Sequence, residues 1–106
     1  MTLAFHLWWE RHDGMRGHVF LRNEQIAALR DELLAQGMVC GEAGGPGIPL
    51  SKLELPRNQY IPAIQIEEAL DVASPEPVAL EDTRLWLDFL VFLEGAVEHG
   101  GLRIKP

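Results

Sequence analysis

The chain is 106 residues long, 47% hydrophobic and 24% charged, with a formal net charge of −7. That length suits one domain spanning residues 1–106, and the composition is that of an ordinary globular protein and excludes a disordered chain. Acidity is concentrated in residues 61–99, where nine acids face Arg84 alone, a balance of −8. Phosphate backbones are held by clustered Lys and Arg, so no nucleic acid is expected as a partner.

The predicted elements begin with a strand. Leu3, Phe5, Leu7 and Trp9 fall on one face of an alternating run, with Ala4, His6 and Trp8 on the other. Asp13-Gly14 tolerates the positive φ of a tight hairpin turn, and His18 to Arg22 forms the return strand. Asn23 suits the N-cap of a helix over about Glu24 to Gln36, with Ile26, Leu29 and Leu33 on its apolar face and Gly37 closing it. Residues 37–49, GMVCGEAGGPGIP, hold five glycines and two prolines and read as loop.

SKLEL, residues 51–55, reads as a short strand ended by Pro56. After a turn at Asn58-Gln59, Pro62 opens a short helix with Ile64, Ile66, Ala69 and Leu70 apolar. ASPEPVALE, residues 73–81, is a connector, because its two prolines prevent helix continuation. Asp82 caps a last helix from Thr83 to about Glu98, Gly100-Gly101 stops it, and LRIK, residues 102–105, is the final strand. The order β-β-α-(β)-α-α-β gives an α+β fold: a small, mostly antiparallel sheet of the N-terminal hairpin plus short strands, packed against two or three helices.

The last helix is hydrophobic nearly all round. Trp86, Phe89, Leu90, Leu93 and Val97 form one face, flanked by Leu85, Phe92 and Ala96 on one side and Leu87 on the other. Its polar stripe of Arg84, Asp88 and Glu98 is interrupted by Val91 and Gly95. Such a pattern implies burial on more than one side, so the helix is either central or meets another chain.

His6, His12 and His18 are evenly spaced, which raises the question of a metal site. On one strand, six rises of about 3.3 Å separate His6 from His12, roughly 20 Å and too far to share an ion. A two-residue Asp13-Gly14 loop places His18 opposite Trp9, on the other face from His6 and His12; a three-residue loop places it opposite Glu10, near His12. At best this gathers two histidines and a carboxylate on an exposed hairpin end that lacks the second shell and enclosure a metal site needs, and no metal is expected.

No catalytic or cofactor-binding residue is assigned. The Gly-rich loop lacks the G-K-[ST] ending of a phosphate-binding loop, and no G-x-G-x-x-G opens a helix. Nothing brings His99, the one histidine outside the hairpin, to Cys40 as a base. Glu67/Asp71 and Glu94/Glu98 are i,i+4 pairs on exposed helix faces, which supply no pocket by themselves. No basic n-region followed by an apolar stretch marks a signal peptide, and the segment Leu85 to Val97 falls short of the ~20 residues that cross a bilayer, so no membrane partner is expected. The lone Cys40 suits a reducing cytoplasm.

The expectation that follows is a non-enzymatic cytoplasmic interaction module whose acidic half faces a basic protein. In size and charge, and in nothing finer, the chain resembles small acidic adaptor and immunity proteins. Glu67, Glu68, Asp71, Asp88, Glu94 and Glu98 are the expected charged contacts, with Leu87 or Phe92 as the apolar anchor. Surplus apolar residues Trp8, Leu87, Val91 and Phe92 point to a homodimer. The alternative is a small-molecule-binding or minor enzymatic domain using loop 37–49 with Tyr60 or Cys40.

Overall fold

The alternating N-terminal run forms strand β1, Ala4–Trp9, which pairs antiparallel with β2, His18–Arg22. In the computed structural model of the chain, the described residues are 4–11, 17–40, 47–49, 51–54 and 58–105. Helix α1 (Asn23–Ala35) follows β2 directly; β3 (Val39–Cys40) and β4 (Ile48–Pro49) then form a small parallel pair. Next come α2 (Ser51–Glu54), β5 (Gln59–Ile61), α3 (Ala63–Leu70), α4 (Thr83–Glu98) and β6 (Leu102–Lys105). The main sheet has the order β2-β1-β6-β5 with every neighbouring pair antiparallel. The fold is therefore the expected α+β arrangement, and no helix among the described residues is long and apolar enough to cross a membrane.

Several local expectations are corrected. The stretch read as a strand from Ser51 is the helical turn α2, because a few alternating residues fit one helical turn as well as a strand. The Asn58-Gln59 turn is displaced: Gln59 already belongs to β5, which is held in strand form by pairing with β6. Loop 37–49 contains β3 and β4, joined through the Ile48 amide donating to the Met38 carbonyl at 3.0 Å, while residues 41–46 lie outside the described part. Asn23 is the first helical residue and Arg22 the N-cap; the Gln25 side chain accepts from the Arg22 amide at 2.9 Å. Gly37 closes α1 at φ +75°, as the sequence predicts.

The hairpin register also differs. Trp8 pairs with His18 and His6 with Phe20, so His18 lies on the same sheet face as His6. The Trp9 amide donates to the Gly17 carbonyl, but the next two amides, Glu10 and Arg11, turn to the carbonyls of Gly101 and His99. The reversal is therefore longer than a two- or three-residue turn; Asp13, Gly14 and His12 lie outside the described residues.

One hydrophobic cluster joins the layers. Phe5, Leu7, Leu21, Ile61, Leu102 and Ile104 from the inner sheet face meet Ile26, Leu29 and Leu33 of α1, Ile66 and Ala69 of α3, and Trp86, Phe89, Leu93 and Ala96 of α4. Each large side chain buried in this way contributes roughly 1.5–3 kcal/mol.

The connector between α3 and α4 is gripped by polar side chains. Glu32 of α1 is fully buried and its carboxylate accepts from the amides of Val78, Ala79 and Leu80 at 2.6, 2.6 and 2.7 Å. Gln36 donates to Glu32 and to the Glu76 carbonyl and accepts from the Ser74 amide, while the Trp86 indole donates to the Ser74 carbonyl. Burial pushes the Glu32 carboxyl pKa up, but the bonds from Val78, Gln36, Ala79 and Leu80 together outweigh it and hold the group below its ordinary value.

Candidate functional site

Helix α4 is placed by its cap and its core face. The Asp82 carboxylate accepts from the Leu85 amide at 3.0 Å, and Trp86, Phe89, Leu93 and Ala96 point into the cluster. The opposite stripe, Asp88, Val91, Glu94 and Glu98, recurs at helical spacing and is exposed, as is neighbouring Leu87.

Between this stripe and the β1-β2 hairpin runs a groove of about 530 Å³. Its apolar walls are Trp9, Val19, Val91 and Phe92, and its rim carries Asp88, Glu94 and Glu98. Two glycines shape it. Gly17 leaves the hairpin end without a side chain, and at Gly95 a Cβ would overlap the ring of Trp9. The Trp9 indole donates to the Phe92 carbonyl at 2.9 Å and stacks on His99 at 4.5 Å between ring centres, so this wall is rigid. No Lys or Arg lines the groove among the described residues. Arg84 pairs with Asp88 from the side, Nε to Oδ1 at 3.2 Å, and both groups are well exposed, so the pair is weak.

The structure gathers part of the expected contact set and separates the rest. Asp88, Glu94, Glu98 and Phe92 meet in the groove, and Leu87 stands one turn from Val91 on the same helix. Glu67, Glu68 and Asp71, on α3 and its cap, do not line the groove. Phe92 is 9% exposed and tilted against Trp9, so it forms wall and cannot serve as a protruding anchor. Of the four expected self-association residues, Val91 and Leu87 are exposed at 66% and 39%, Trp8 is half-buried, and Phe92 is buried. Sequence reasoning missed Val19, Gly17 and Gly95, whose part depends on the hairpin register and on the crossing of β1 by α4.

The residues named for the alternative reading are engaged in structural bonds. Tyr60 donates through its hydroxyl to the Gly100 carbonyl at 2.6 Å, and Cys40 Sγ lies 3.7 Å from the Gly47 carbonyl. Among the described residues no group of three His, Cys, Asp or Glu side chains is placed to hold a metal ion. No family model matches the chain, and neither a curated protein nor a solved structure matches it.

Proposed function

We propose that this protein is a non-enzymatic docking module that receives a basic partner in the groove between α4 and the β1-β2 hairpin. The observation that supports this reading is the meeting of three carboxylates, Asp88, Glu94 and Glu98, around an apolar wall. An interface needs apolar contact for affinity and charge for steering and register, and this groove offers both. Glu94 and Glu98, four residues apart on one helix face, repel each other, and a bound Lys or Arg relieves that repulsion.

A second copy of the chain fits the stripe less well. Two-fold pairing through Leu87 and Val91 sets the same acidic stripe of both copies face to face, with Arg84 the one cation on each α4, and like charges across an interface are costly. The module's partner is therefore read as a different, basic chain.

The test compares wild-type protein with a Glu94→Lys/Glu98→Lys variant as bait in native lysate, followed by association kinetics on the retained partner across a salt series. The expected result is a basic partner held by wild type only, whose association rate falls as added salt shortens the Debye length from about 10 Å at 0.1 M. An acidic partner, or an association rate indifferent to salt, overturns the proposal.

A further inference from the structure

The main sheet has a second face, turned away from the helices. Register places its side chains in cross-strand rows, because directly paired residues share a face. One row is Phe20, His6 and Lys105; the next is His18, Trp8, Arg103 and Tyr60. Arg22 stands beyond Phe20 on β2.

The chemistry of these rows is aromatic and cationic. Phe20 is 59% exposed and meets His6 edge-on at 4.6 Å. Lys105 Nζ lies 6.0 Å from the centre of the half-buried Trp8 ring, and the Arg103 guanidinium lies 4.9 Å over Tyr60. A shallow concavity of about 610 Å³ opens between β1 and β2, lined by His6, Trp8, His18 and Phe20.

We propose that this face binds single-stranded nucleic acid, with bases stacking on Trp8 and Phe20 and phosphates meeting Lys105, Arg103 and Arg22. Rows two residues apart are spaced by about 6.8 Å, twice the strand rise and close to the thickness of two stacked rings. Any base presents a π-face, so an aromatic surface flanked by cations takes an unpaired strand without reading its sequence. A flat sheet face inserts nothing into a duplex groove, which selects against double strands.

The overall charge of −7 averages two faces that the fold separates. The exposed acids Glu67, Asp71, Asp88, Glu94 and Glu98 sit on α3, its cap and α4, in the layer behind the sheet. The acids of α4 come closest at His18, which lines both this concavity and the groove rimmed by Asp88, Glu94 and Glu98, and their repulsion of a strand falls as salt shortens the Debye length from about 30 Å at 0.01 M to about 10 Å at 0.1 M. Among the described residues, two carboxylates pair with arginines of the open face. Glu10 bonds Arg103, and Glu24 pairs with Arg22 at 3.1 Å. A phosphate replaces each of them on its arginine. Only two or three phosphates are then engaged, and the logarithm of affinity falls with the logarithm of salt with a slope of about −1.4 to −2.

The experiment uses the full chain with end-labelled oligo(dT) and oligo(rU), read by anisotropy and by quenching of tryptophan fluorescence at low salt. Wild type binds both single strands, binds a duplex of equal length more weakly, and loses affinity along that salt slope. Trp8→Ala and Phe20→Ala each weaken binding about tenfold, the scale of one lost stacked base. Lys105→Glu, at an exposed position, weakens binding and flattens the salt slope by about 0.7. Glu94→Lys/Glu98→Lys does not weaken binding, which separates this face from the α4 groove. Absence of binding by either strand overturns the proposal, as does binding untouched by both aromatic substitutions. Displacement of the oligonucleotide by an acidic peptide as readily as by unlabelled strand also overturns it, in favour of an acidic protein partner.

Discussion

The ring of Trp9 lies where a Cβ at Gly95 would be, and this single close approach seats α4 against β1. The ring is held on both sides, by its hydrogen bond to the Phe92 carbonyl and by the stacked imidazole of His99. His99 is in turn fixed by its Nδ1 contact with the Gly95 carbonyl at 2.8 Å. Glycine in the middle of a helix otherwise costs about 1 kcal/mol relative to alanine. Here the preference reverses.

Gly95→Ala is therefore expected to destabilise the protein despite its better helix propensity. Overpacking against a ring with no room to move costs about 1–3 kcal/mol or more, which outweighs the propensity gain. Urea unfolding of the variant should show a midpoint below that of wild type with an unchanged slope; a midpoint above it would show that Trp9 can move aside.

Glu32 is expected to be the most sensitive polar position among the described residues. Glu32→Ala removes the acceptor of three consecutive connector amides and one side-chain amide, at a cost of about 3 kcal/mol. Glu32→Gln keeps one acceptor oxygen and costs less. Hydrogen exchange should show Val78, Ala79 and Leu80 amides protected in wild type and selectively faster in Glu32→Ala. Uniform acceleration across the chain would mean global loss of stability with no local release.

The core expectation is tested by Phe89→Ala and Leu93→Ala. Both side chains are at most 5% exposed, on the α4 face that meets the sheet. Each truncation should cost about 2–5 kcal/mol in denaturant unfolding. Values below about 1 kcal/mol for both would be incompatible with this packing.

Those two residues also mark what the sequence made legible. β1, α1 and α4 announce themselves because their apolar positions repeat with the period of one element and a cap or glycine ends them. Of the predicted core, Leu7, Ile26, Leu33, Phe89 and Leu93 are buried, and Trp9 is half-buried because its ring edge also walls the groove. β5 was illegible because three residues carry no period, and its strand state comes from β6, more than forty residues later in the chain. The hairpin register was illegible because it depends on where the Glu10 and Arg11 amides find partners. Glu32 was invisible for the same kind of reason: its partners are backbone amides 46 to 48 residues away, and an amide leaves no mark in the sequence. The acid stripe of α4 could be read from spacing alone, but the groove beside it depends on Gly17, Val19 and Trp9 arriving from the hairpin.

The last prediction follows from the protonation of Glu32. Its folded-state pKa lies below the ordinary carboxylate value, so the unfolded chain takes up the proton first as pH falls. The stability this group contributes is fully present above the ordinary carboxylate range and is lost as pH falls through the folded-state value; below that value it contributes nothing further. Glu10 titrates in the same direction because the Arg103 guanidinium hydrogen-bonds its carboxylate, but that pair is exposed and screened, so Glu32 dominates. Wild type should therefore lose stability on the acid side, with release of the 78–80 segment at Glu32 as the local event. Glu32→Gln carries no titrating group there, so its stability should fall less between neutral and acid pH, although it starts lower. Paired urea titrations of wild type and Glu32→Gln across this range give the comparison. Parallel acid limbs for the two proteins would show that the buried carboxylate is not the group whose protonation loosens the fold.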